Sequence, residues 1–118
     1  MHPELAYELF SARLMQNELL TVKNGKGGLS YYKHGVFVCH FNARPRKQRE
    51  DIGFADFRYD ALRRYLEAKT TIAAIQKDAL PEVQIRSPTL WCSLYFPLSV
   101  LEHIAELFLR HIISRVHT

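Results

Sequence analysis

The sequence predicts an α+β domain: an antiparallel sheet of about five to six strands, two-layered, with helices at the N-terminus, in the middle and at the C-terminus. Three observations lead there. Apolar residues recur at helical spacing near both ends of the chain and again in its middle. Between them lie short runs rich in Val, Phe, Tyr and Leu, separated by glycine-containing turns, as hairpins are. Strands follow strands rather than alternating singly with helices, so the crossover units of a parallel sheet are missing. A single domain spanning 1–118 is expected, since 47% of the 118 residues are hydrophobic and 24% charged, which supports a core and excludes disorder.

The first helix is expected over 3–20. Pro3 suits the first helical position, where a missing N–H costs nothing, and Glu4 and Glu8 complement the positive end of the helix dipole. Helical spacing puts Leu5, Leu9, Ala12 and Leu19 on one stripe, with Glu4, Tyr7, Ser11 and Glu18 opposite. A strand over 20–23 ends at Asn24-Gly25-Lys26-Gly27-Gly28, a hairpin signal. A second strand covers 29–33, His34-Gly35 turns the chain, and 36–42 is a third. In the third, Phe37, Cys39 and Phe41 alternate with Val36, Val38 and His40; both faces are apolar, so it is expected to be central.

A polar loop follows over 43–50, then a short strand over 52–55. The next helix is capped by Asp56 or Asp60 and turns Leu62, Tyr65 and Leu66 to the core. Its stripe then drifts towards Ile72, Ile75 and Ala79, which, with Thr70-Thr71, predicts a kink or two consecutive helices ended by Pro81. Segments 83–86 and 90–96 form a hairpin across Ser87-Pro88-Thr89, with Cys92, Leu94 and Phe96 alternating with Trp91, Ser93 and Tyr95. Ser99 and Glu102 make a capping box for the last helix. Its apolar stripe is Leu101, Ile104, Ala105, Phe108, Ile112 and Val116, opposite His103, Glu106, Arg110 and Ser114. Phe37, Phe41, Leu94, Phe96, Ile104, Phe108 and Ile112 are thereby expected in one core.

Two cysteines, Cys39 and Cys92, are too few for a disulfide-stapled secreted domain and read as buried free thiols. The start, Met1-His2-Pro3-Glu4, lacks a basic leader. The longest uncharged run, 87–101, contains two prolines and is shorter than the ~18 apolar residues of a membrane span. A soluble cytoplasmic protein, away from membranes, is the expectation.

Three stretches carry a resemblance to a known family. They are 31–42 with its aromatic strand, turn and apolar strand; Asp51-Ile52-Gly53-Phe54 ahead of a helix; and Ile85-Arg86-Ser87-Pro88 through Leu94-Tyr95-Phe96-Pro97-Leu98. In pattern and order they resemble the YdhG-like family, small bacterial domains of largely unknown function, over about half of the chain. Two features depart from the family: its Met-Pro ahead of the first strand is missing, and the loop before Ile52 is longer and more basic. The resemblance implies an α+β fold and, through some relatives, frataxin-like iron handling; it carries over no catalytic residue.

The charge map is lopsided. Positions 21–49 hold seven basic residues and no acidic one: Lys23, Lys26, Lys33, Arg44, Arg46, Lys47 and Arg49. The whole chain carries +4, so the rest sums to −3. Such segregation aims a field at an anion. The seven cations are the expected anion-binding residues, for a nucleic acid or another polyanion, with Tyr31 or Tyr32 placed to stack on a base. The alternative for the basic run is a solvated surface that binds nothing.

Other chemistries find less in the sequence. Asn24 to Gly28 lacks phosphate-loop spacing and reads as a turn. Cys39 and His40 are neighbours on a strand and point to opposite faces, so they cannot chelate together. His103 and Glu106 share a helix face, but zinc would want three or four ligands. Asp51, Asp56 and Asp60 read as capping or solvated groups, and no nucleophile motif is present. No cofactor, metal site or catalytic residue is assigned. A metal-handling protein of the frataxin-like kind, or an enzyme whose residues meet only in space, is the alternative function.

Overall fold

The computed structural model of the chain describes residues 1–17, 19–43, 51–87 and 91–117. They form helix α1 (Pro3–Leu14), strands β1 (Leu20–Gly25), β2 (Gly28–Lys33), β3 (Val36–Asn42) and β4 (Ile52–Arg58), helices α2 (Tyr59–Leu62) and α3 (Ala68–Asp78), strands β5 (Gln84–Arg86) and β6 (Trp91–Pro97), and helix α4 (Leu101–His111). The strands make a six-stranded antiparallel sheet in the order β1-β2-β3-β4-β6-β5. This is the expected α+β class, with helices at the start, middle and end.

The turns follow from residue type. Lys26-Gly27 joins β1 to β2, and Gly28 then takes φ +117°, where a Cβ would collide with the Phe41 carbonyl of the neighbouring strand. His34 and Gly35 both have positive φ, 52° and 76°, as the two central residues of a type I′ hairpin turn require.

Strands β2 and β3 are not in simple register. Tyr31 faces Cys39 but Tyr32 faces Phe37, which leaves Val38 as an extra residue on β3. This bulge corrects the expected alternation, because one inserted residue switches the faces of everything beyond it. Cys39 and Phe41 enter the core, whereas Phe37 joins His40 on the opposite face of the sheet.

Helices α1 and α4 cover one face. Phe10 of α1 stacks on Phe41, with ring centroids 4.1 Å apart and an interplanar angle of 19°. The edge of Phe108 from α4 meets both Phe10 and Phe57. Arg13 bridges the two helices, 2.7 Å from Glu106. The stripe Leu101, Ile104, Ala105, Phe108, Ile112 and Val116 is buried as expected, and so are Cys92, Leu94 and Phe96 of β6. Both cysteines are free and buried; desolvation pushes the Cys39 thiol well up and that of Cys92 to about 11.

Three local expectations are corrected, and the expected break in the middle helix is found. Helix α1 stops at Leu14 rather than at residue 20, and it buries Ala6, Phe10 and Leu14. Leu5 and Leu19 are 46% and 54% exposed. The sequence carries both stripes, and Phe10 decides between them because it has the larger apolar surface to hide. Strand β4 runs through Asp56 to Arg58, so neither Asp56 nor Asp60 is the N-cap: Asp56 lies in the strand and Asp60 within α2. The drifting stripe resolves into two helices, and α3 buries Thr71 and Ile75. The capping box at Ser99 does not form, because the chain enters a 3₁₀ turn at Leu98–Val100 directly from β6 and α4 begins after Val100. No helix among the described residues is long and apolar enough to cross a membrane.

Candidate functional site

The face of the sheet opposite α1 and α4 is built mostly of rings, with Asp60 and Ala61 of α2 lining its cleft. The period of two that sends Cys39, Phe41, Ala55, Phe57, Leu94 and Phe96 inward sends their neighbours outward. The outward set includes Tyr32, Phe37, His40, Phe54, Trp91 and Tyr95. Phe54 and Tyr95 are cross-strand partners with centroids 4.9 Å apart. Tyr32 packs edge-on against Phe37, and His40 against Phe54.

Three cations lie over this aromatic floor. Lys23 Nζ stands 5.1 Å from the Tyr32 ring centre, the Arg58 guanidinium 4.7 Å from Trp91 and the Arg86 guanidinium 5.6 Å from Tyr95. All are within the range where a ring face attracts a cation. Arg58 is also locked in plane by Asp60, with Nε and Nη2 donating to the two carboxylate oxygens at 2.9 and 2.6 Å. That guanidinium holds the Asp60 carboxyl below its ordinary range. Between Tyr32, Phe37, Phe54, Arg58 and Trp91 the surface sinks into a cleft of about 540 Å³, within the usual size of a ligand pocket.

The cleft floor holds His40 and Asp56, which face each other across β3 and β4. Nδ1 of His40 is 3.4 Å from Oδ1 of Asp56, an ion-pair distance. That oxygen is enclosed yet accepts no hydrogen bond. The carboxylate pushes the imidazole pKa above its ordinary 6.5 against the opposing effect of burial, and the Gly27 backbone adds to the rise. Asp56 on one side and Gly27 on the other thus favour the protonated form of His40.

The expected site residues separate into three groups. Lys23 and Tyr32 stand together on the open face. Lys26 is exposed in the β1–β2 turn and borders a second groove with Glu8, Ser11 and Asn24. Lys33 and Tyr31 are corrected, since both belong to the helix side. Lys33 is 6% exposed and its ammonium donates to the Ile113 carbonyl at 2.9 Å, beyond the C-terminal end of α4. Tyr31 is wholly buried, and its hydroxyl shares a 2.6 Å hydrogen bond with Ser11. Arg44, Arg46, Lys47 and Arg49 lie outside the described residues.

Phe37, His40, Phe54, Asp56, Arg58, Arg86, Trp91 and Tyr95 were not among the expected site residues. The signal for three of them is the alternation Ile52-Gly53-Phe54-Ala55-Asp56-Phe57-Arg58, in which small or apolar residues take one side and Phe54, Asp56 and Arg58 the other. Reading Asp56 as a helix cap hides it.

The helical pair His103 and Glu106 is committed elsewhere. His103 Nε2 accepts from the Leu80 N–H at 3.1 Å, and Glu106 holds Arg13. Among the described residues no group of three or more His, Cys, Asp or Glu could hold a metal ion. Comparison with known proteins returns no matching family model, no matching curated protein and no matching solved structure.

Proposed function

We propose that the protein is a binding module that takes a single-stranded nucleic acid across the open face of its sheet. One observation carries the reading: three cations, Lys23, Arg58 and Arg86, each laid over an aromatic ring on the sheet face opposite α1 and α4. Bases stack on rings whatever their sequence, and cations beside the rings track the phosphates. The acid-free 21–49 segment feeds the same side of the charge balance, since Lys23 belongs to it and Arg44, Arg46, Lys47 and Arg49 join β3 to β4, the strands of the cleft floor.

The experiment is a salt titration with fluorescently labelled single-stranded DNA and RNA. For single strands the log–log slope is about −0.7 per phosphate neutralised, so four contacts give about −3. Replacing Arg44, Arg46, Lys47 and Arg49 by Ser should flatten the slope. Tyr32→Ala or Phe54→Ala should weaken binding by a factor independent of salt, because stacking releases no counterions. Trp91 is the only tryptophan in the chain and borders the cleft, so its fluorescence should change on binding. No binding at low salt, or binding unaltered in all of these variants, would refute the reading.

A further inference from the structure

The two edges of the open face are basic, and its centre carries charges that face one another. Asp56 and Asp60 lie in the cleft beside His40 and Arg58, while Lys23 is on β1 and Arg86 on β5, the two edge strands of the sheet. Five inter-strand steps separate those edges, roughly 24 Å. In the centre the Arg58 guanidinium is held by Asp60 and the His40 imidazole faces Asp56, so a phosphate there would meet cations already engaged by carboxylates, whereas a phosphate at either edge would meet Lys23 or Arg86. A strand lying here therefore places its backbone towards the edges and a base in the middle.

The middle holds an acceptor short of donors. The Asp56 side chain is 9% exposed, and it lines the cleft between the rings of Phe37 and Phe54. Its Oδ1 is enclosed with no hydrogen-bond partner and stands 3.4 Å from His40 Nδ1, so a ligand reaches this carboxylate from the cleft side that Asp56 lines. Arg58, two residues along the same strand and on the same face, gives its paired N–H groups to Asp60 instead. A buried carboxylate left this way gains from any N–H that a ligand brings to it.

We infer that Asp56 makes the cleft selective among bases, accepting a hydrogen bond from the exocyclic amino group of a base stacked on Phe54, so that amino-bearing bases are favoured over thymine and uracil. The inference rests on the single-strand reading above and adds base identity to it. Cytosine offers its N4 amino group to a carboxylate. Thymine and uracil turn a carbonyl oxygen to the same place, so two acceptors face each other and the carboxylate stays unpartnered. The two pyrimidines are alike in size and stacking surface, which isolates the hydrogen bond as the source of the difference.

The test measures binding of labelled oligo-dC and oligo-dT of equal length at pH 7.5 and one salt concentration. Wild type should bind oligo-dC about tenfold more tightly, the scale of one good base-edge contact. Asp56→Asn should bring the two within about twofold, because a carboxamide both donates and accepts. An arm that needs no variant uses wild type with oligo-dC methylated twice on N4, which removes both donors; its affinity should fall to that of oligo-dT. Equal binding of dC and dT by wild type, or a preference that survives double methylation, would overturn the inference and leave the single-strand reading standing. Failure of wild type to bind either oligomer would overturn both.

Discussion

Phe10→Ala and Leu5→Ala, five residues apart on different faces of α1, put the packing of the helix layer to a direct test. Phe10 is wholly buried, stacked on Phe41 and touched by Tyr31 and Phe108. Truncating a buried Phe costs about 3–5 kcal/mol, and three aromatic neighbours losing their partner at once argue for about 4. Unfolding entropy near 60 °C is about 2.1 cal/mol/K per residue, hence about 0.25 kcal/mol/K for 118 residues. Phe10→Ala should therefore lower Tm by about 16 °C. A domain of this length has about 6–18 kcal/mol of stability, so the variant should still fold and melt cooperatively. Leu5 is nearly half exposed, and its truncation should cost no more than about 0.5 kcal/mol, near 2 °C. Thermal melts by circular dichroism, supported by urea titration, compare the two. If Leu5→Ala cost as much as Phe10→Ala, the helix would be turned to bury the stripe of Leu5 and Leu9, and the aromatic contact between the layers would be wrong.

Three further outcomes are expected. Gly28→Ala forces a Cβ onto the Phe41 carbonyl at a positive φ, so it should destabilise by more than the ~1 kcal/mol of an ordinary glycine change, whereas Gly25→Ala, whose Cβ meets only the Gly28 carbonyl oxygen at an ordinary 3.8 Å, should be far milder; paired melts decide. Cys39 and Cys92 are buried with raised pKa, so a thiol reagent at pH 8 should react only after denaturant is added, and reductant should leave Tm unchanged; prompt labelling of the folded protein would contradict this. His40 has its pKa raised by Asp56, so its imidazolium contributes stability that is full below the unfolded value of about 6.5 and is lost as pH rises through the folded value; the Tm gap between wild type and His40→Gln should shrink from pH 6 to pH 9, and a gap constant with pH would count against the ion pair.

Local periodicity and turn chemistry control the features that can be read along the chain. The strand 36–42, the hairpin turns at Gly27 and at His34-Gly35, the buried stripe from Leu101 to Val116 and the pair of free thiols were legible because each depends on neighbours within a few residues. The sheet class followed from those elements in order. Tertiary structure alone decided which way α1 rolled, since Leu5 and Phe10 head competing stripes and only the presence of Phe41 and Phe108 opposite Phe10 selects one. It alone decided the face of Phe37, because a bulge depends on the register between two strands and cannot be seen in either. The same holds for charge. Seven cations form a continuous basic run in sequence, yet Lys33 turns inward to the Ile113 carbonyl. Arg58 and Arg86, outside that run, join Lys23 on the open face because antiparallel pairing brings β4, β6 and β5 beside it. A sequence fixes how many charges there are and the spacing between them, but which share a surface depends on strand order, and strand order is settled by the burial of the whole core.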